Sequence, residues 1–224
     1  MTDEHDVDER VWKLFDGYVH GTVTRREFLD RAARFTASGV SAATLLAALS
    51  PDYALARQVD PDDPSISTGY KKYASPKGAG IMRGYFARPS KSGHKLPGVV
   101  VIHENRGLNP YIEDVARRLA VAGFIAFAPD ALTPLGGYPG NDDDGRELQR
   151  QRDGEEMTQD FVAAVNFLRE HPDTTDRIGA VGFCFGGGMV LELAIRLPDL
   201  DAGVAFYGRH PDADRAAAIQ APLM

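Results

Sequence analysis

Hydrophobic residues follow different rhythms along this chain, and each rhythm predicts a different element. Four continuous apolar runs stand out: Pro97 to His103, Phe124 to Asp130, Ile178 to Phe183, and Ala202 to Tyr207. Runs without alternation mark strands covered on both faces. Gly80 to Ala87 alternates and reads as a strand that Arg88-Pro89 ends, and Gly69 to Lys77 reads as a further short strand. Between the buried runs the period becomes helical. Asn109 caps a helix that Pro110 opens, which runs to Ala122 and is closed by Gly123. Met157 to His171 is a second helix, with Phe161, Val165 and Leu168 on one face. Met189 to Leu197 is a third, and Ala213 to Ile219 a short fourth. Thr133 to Gly145, rich in Gly, Pro and Asp, reads as a loop too long for a simple connector, and Arg146 to Gly154 as a polar, helix-compatible stretch. Asp173 to Arg177 reads as a turn.

Strand and helix thus alternate, which predicts a mostly parallel α/β sheet with helices on both faces. Ligands of such sheets lie outside the carboxyl ends of the strands. His103, Glu104, Asp130, Cys184 and Tyr207 all fall at or just past strand ends. The topology therefore places them on one rim.

Residues 1–56 follow another pattern. An acidic start leads into Trp12 to Val19, then Thr24-Arg25-Arg26-Glu27-Phe28-Leu29, an Ala-rich apolar run from Phe35 to Leu49, and Ala54-Leu55-Ala56. A twin arginine, an apolar stretch and a small-x-small site are the order of an export signal, which predicts translocation and cleavage after Ala56. Asp30 and the long acidic lead depart from that pattern. The alternative is two helices, from Thr24 to about Ala37 and from Ser41 to Leu49, capped by Thr24 and Ser41, with Glu27 completing a capping box and the protein staying in the cytoplasm. Residues 57–66, rich in Pro and Asp, read as a linker to the main domain, 67–224.

Composition narrows the function. The chain has 224 residues, a net charge of −7 and no basic cluster, which argues against nucleic acid as a partner. Its 43% hydrophobic and 25% charged content is that of a globular domain, and no run of about 18 apolar residues predicts a membrane span. A single cysteine, Cys184, excludes an internal disulfide and any cysteine-rich metal site.

That cysteine sits in Gly182-Phe183-Cys184-Phe185-Gly186-Gly187-Gly188, between a buried strand and a helix. A strand that stops in a tight Gly-x-nucleophile-x-Gly turn before a helix is a nucleophile elbow. Gly182 and Gly186 spare the turn its side chains, and Gly187 and Gly188 let the helix approach the sheet. A helix N-terminus favours the thiolate, so a lowered thiol pKa is expected, and the N–H of Phe185 is placed to donate to an oxyanion. The other readings are a buried structural cysteine and a nucleotide-binding turn. Cys184 occupies a position where the dinucleotide motif needs glycine, and no P-loop lysine follows.

Together, Val99 to Leu108 with its His103-Glu104-Asn105-Arg106-Gly107 core, Ala128-Pro129-Asp130, the Cys184 elbow and Phe206-Tyr207-Gly208 resemble the dienelactone hydrolase family of α/β hydrolases, over roughly residues 67–224. The N-terminal stretch is similar to a subgroup with a signal-like extension. The resemblance implies an α/β-hydrolase fold and a small carboxylic ester or lactone as substrate, with no metal or organic cofactor. It makes Cys184 the nucleophile and Glu104 the carboxylate that helps activate the thiol. The backbone N–H groups of Asn105 and Phe185 become the oxyanion hole. A structural pair with Arg106 is the other reading of Glu104, and His103 is expected to support the loop. The family's triad Asp and His follow later strands, whereas here only His210 follows Cys184, one strand early. The last strand–helix units are therefore expected to be lacking, with an exposed sheet edge. Two rival functions stay open: a hydrolase-fold protein that binds without turnover, and an oxidoreductase or nucleotide binder that uses the Gly-rich turn.

Overall fold

The structure, a computed structural model, describes residues 8–35, 41–50 and 52–224, and the chain divides into two compact units, Met1–Ala56 and Arg57–Met224.

The first unit is helical: α1 (Glu9–Val19), α2 (Arg25–Ala32), α3 (Ala42–Leu49) and the single turn α4 (Tyr53–Ala56). Val11, Tyr18, Phe28, Ala32 and Leu46 form its buried core. Thr24 starts α2 through a capping box: its hydroxyl accepts from the Glu27 N–H at 3.2 Å, and the Glu27 carboxylate accepts from the Thr24 N–H at 2.8 Å. Arg25 and Arg26 are the first two residues of that helix. Ser41 caps α3. The expected end of the α2 segment at Ala37 lies outside the described residues.

The second unit is a six-stranded sheet in the order β1-β2-β4-β3-β5-β6, formed by Ile66–Ser75, Gly80–Pro89, Leu96–Ile102, Ile125–Pro129, Thr174–Phe183 and Ala202–Phe206. β1 and β2 are antiparallel to each other, and β2 is antiparallel to β4. β4, β3, β5 and β6 are parallel, so their carboxyl ends share one edge. α5 (Pro110–Val121) covers one face; α7 (Gly154–Arg169) and α8 (Phe185–Arg196) cover the other. Phe127, Phe161, Leu168 and Ile178 are wholly buried between the sheet and α7–α8, each worth about 1.5–3 kcal/mol of transfer free energy.

Within the stretch read as a linker, the Asp114 carboxylate accepts from the N–H groups of Gln58 and Val59 at 3.2 and 2.9 Å. Two local expectations change. β5 begins at Thr174, not Ile178: Thr174 pairs with Leu96, and the ladder resumes at Gly98–Ile178 after an irregularity. The stretch read as a loop up to Gly145 already contains α6 (Asp142–Arg150). Asn141 caps α6, and Asp142, Asp143 and Asp144 stand in its first turn, where the helix dipole favours acids. Position 145 takes glycine within that helix because a Cβ would lie 2.2 Å from the carbonyl oxygen of Arg106.

Candidate active site

The elbow is built as a close approach of backbones. Cys184 has φ 55° and ψ −113°, in the left-handed region that costs a side-chain-bearing residue energy. Cβ atoms on Gly182, Gly186 and Gly187 would lie 2.2, 2.3 and 2.0 Å from the carbonyl oxygens of Gly186, Ile102 and Tyr207. The turn therefore tolerates only glycine at those positions, and it holds α8 against the ends of β3 and β6. The Cys184 N–H donates to the Phe206 carbonyl at 3.1 Å, which closes the elbow onto β6.

The thiol departs from expectation. Burial pushes its pKa up, and the nearby Glu104 carboxylate adds to the rise. The dipole of the Phe185 N–H and the charge of Arg106 oppose this without reversing it. Desolvation of a half-buried sulfur outweighs the helix terminus, so the resting sulfur is a thiol rather than a thiolate.

Glu104 and Asn105 lie on the loop after β3, and His103 anchors that loop. His103 is fully buried; its Nδ1 hydrogen-bonds the Glu104 carbonyl at 2.6 Å and its Nε2 accepts from the Ala131 N–H at 3.1 Å. Those partners specify the neutral Nδ1–H tautomer, and burial lowers the pKa of the ring. Ala131 is held in turn by Arg152, which donates to its carbonyl and pairs with Asp160 at 2.7 Å.

The Glu104 carboxylate has two neighbours. Arg106 pairs with Oε2 at 3.6 Å, and the Tyr207 hydroxyl donates to Oε1 at 3.1 Å. The same guanidinium binds Asp142 at 2.8 Å, Asp142 accepts from the Tyr138 hydroxyl at 2.9 Å, and Gln149 accepts from the Gly107 N–H at 3.1 Å. α6 and the loop after β3 thus form one body. The pair with Arg106 considered for Glu104 is present, alongside its position near the thiol. The Asn105 N–H donates to no described residue. His210 is exposed.

The rim expected for His103, Glu104, Asp130, Cys184 and Tyr207 is present as strand-end geometry. Asp130 pairs with Arg83 at 3.5 Å and accepts from the Leu132 N–H. Sequence reasoning missed Asp142, Gln149, Arg152 and Asp160, whose partners are brought close only by the fold. The Asp triplet before Gly145 was the one available hint. Among the described residues, no group of three or more His, Cys, Asp or Glu side chains could hold a metal ion.

A mostly parallel sheet with helices on both faces and a strained residue between strand and helix at its carboxyl edge defines an α/β hydrolase. Within that class the chain belongs to the dienelactone hydrolase family, whose model matches residues 82–224. Residues 1–34 match a second model, described as YqhI-like. The chain is 60% identical over 114 residues to the Escherichia coli (strain K12) protein named "Putative hydrolase fragment YghX", covering 51% of this chain and 97% of that one. It is 38% identical over 126 residues to a Bradyrhizobium protein named "Probable 2-oxo-3-(5-oxofuran-2-ylidene)propanoate lactonase", covering 55% of this chain and 50% of the relative. The YghX fragment aside, the chain spans about half the length of the first curated relatives it matches. Among solved structures it is similar to the dienelactone hydrolase-like promiscuous phosphotriesterase P91 from metagenomic libraries, with TM-score 0.59 and 29% identity, covering 71% of this chain and 67% of that one.

Proposed function

We propose that the second unit hydrolyses a small carboxylic ester or lactone with Cys184 as nucleophile. The observation that carries this is the strained Cys184 at the elbow, beside a carboxylate held on the neighbouring strand's loop. The raised thiol pKa calls for a base, and a carboxylate close enough to act on the sulfur's charge supports Glu104 in that role. In the proposed step Glu104 takes the thiol proton as Sγ bonds to the carbonyl carbon. The carbonyl π pair moves to oxygen, where the N–H groups of Asn105 and Phe185 stabilise it. Collapse breaks the bond to the leaving oxygen, which takes the proton, and water then cleaves the thioester to release the acid and restore the thiol. The names of the relatives support lactone-type substrates: one is a lactonase, and two others are named carboxymethylenebutenolidases.

The test is hydrolysis of an aryl ester by the 224-residue chain and its Cys184→Ala variant, with intact-mass detection of an acyl adduct. We expect turnover to fall on the order of 10³-fold or more in the variant and the adduct to vanish. Equal turnover in both proteins would reject the nucleophile. Where the reaction takes place is a separate proposal: export directed by Arg25 and Arg26. Fractionation tests it, and unchanged location of an Arg25→Lys/Arg26→Lys variant would defeat it.

A further inference from the structure

We propose that Tyr207 is a positioning residue for Glu104, pinning one carboxylate oxygen so that the charge is held at a fixed place beside the thiol; this deepens the reading of Cys184 and Glu104 given above.

Three observations converge on Tyr207. It has φ 41°, and with Cys184 it is one of two non-glycine residues with positive φ among those described. Strain of this kind persists only where surrounding contacts over-determine it. Those contacts are visible: Gly187 packs against the Tyr207 carbonyl, and a Cβ on Gly208 would lie 2.5 Å from the Cys184 carbonyl oxygen. The elbow and the end of β6 therefore lock the backbone of Tyr207. The strained backbone delivers the hydroxyl to Glu104 Oε1 at 3.1 Å, across 103 residues of sequence. Tyr207 is 57% exposed, so packing of its side chain does not account for the conformation.

The other carboxylate oxygen faces Arg106 at 3.6 Å, too long for a hydrogen bond. Tyr207 is therefore the neutral donor of this pair, and Arg106 supplies charge. Burial and the Glu104 carboxylate raise the phenol to about 12, so it remains a donor throughout the neutral range. A donor on a carboxylate withdraws charge from it, which weakens its field on a neighbouring sulfur. Removing the hydroxyl should return that charge to the carboxylate and strengthen the field at the sulfur, so thiolate formation should become harder.

The experiment is the rate of Cys184 alkylation by iodoacetamide against pH, which reads the sulfur without requiring turnover. It uses wild type, Tyr207→Phe, Glu104→Ala and the double variant. Tyr207→Phe keeps the exposed ring and removes only the hydroxyl. We expect its alkylation midpoint to move up and its rate at pH 7 to fall about threefold, the effect of roughly half a pKa unit. In the Glu104→Ala background the same substitution should change nothing, because Tyr207 acts through the carboxylate. Equal shifts in both backgrounds, or no shift in either, would overturn the proposal. Failure of Cys184 as nucleophile would appear in ester turnover alone and leave these alkylation profiles intact.

Discussion

A Cβ placed on Gly186 would lie 2.3 Å from the carbonyl oxygen of Ile102. No side chain fits there, and the closeness is what sets the elbow against the strand whose loop carries Glu104. Gly186→Ala must part the two backbones. We expect a loss of about 1–3 kcal/mol of stability, as for other over-packed sites. Cys184 alkylation should also change, because the sulfur and Glu104 would separate. Urea unfolding and alkylation rates measure the two effects. Gly154→Ala is the control: nothing lies within 4 Å of a Cβ there, so it should leave both unchanged.

Arg152 and Asp160 support the site from below the sheet edge. Their side chains are 3% and 1% exposed, and Arg152 also holds the Ala131 carbonyl. Arg152→Met strands the Asp160 charge, leaving it the Ala79 N–H at 2.9 Å. Breaking a buried pair from one side costs about 3–5 kcal/mol. The double variant Arg152→Met/Asp160→Leu should recover part of that loss. Chemical denaturation of the four proteins reads the coupling, and additive losses would show that the pair does not act as a unit.

His103 predicts the direction of acid sensitivity. Burial lowers its pKa in the folded state below the unfolded value of about 6.5. As pH falls through 6.5 the unfolded chain takes up a proton and the folded chain does not. Stability is thus full above about pH 6.5 and declines below it, by at most about 1.4 kcal/mol per pH unit for one group, until the folded pKa is reached. His171 is also lowered, chiefly by burial, and contributes with the same sign. The His103→Gln variant should therefore show a shallower decline than wild type between pH 6.5 and 5.5, measured as urea midpoints. Identical slopes would remove His103 from the acid response.

These effects differ in how far the sequence discloses them. Cys184, its flanking glycines and the buried runs were legible because strand and elbow are local patterns. The capping box at Thr24 and the cap at Asn109 were legible for the same reason. The start of α6 was not, because the acidic run and Gly145 read as loop until Arg106 is known to pack against them. The direction of the thiol shift was misjudged because a helix terminus is visible in sequence and burial is not. The Tyr207–Glu104 and Arg152–Asp160 pairs required the fold itself, since no spacing rule connects strand ends so far apart.

Tyr111 and Leu119 of α5, Val181 and Phe183 of β5, and Val204 and Phe206 of β6 line an open apolar trough of about 680 Å³. Phe183 and Phe206 stack at 4.9 Å with planes 9° apart, and Phe206 is 50% exposed. The opposite face of the same strands is covered by α8, so water meets these strands on one side only. A contiguous apolar surface of this kind binds hydrophobic probes and favours association. The folded 224-residue chain should therefore enhance the fluorescence of an anilinonaphthalene sulfonate dye before any unfolding begins. Phe206→Asp places a charge in the trough and should remove most of that signal, with Tyr207 and the elbow left in place as judged by Cys184 alkylation. A native-state signal that is absent, or that survives Phe206→Asp unchanged, would show that the trough is not open to solvent in the folded protein.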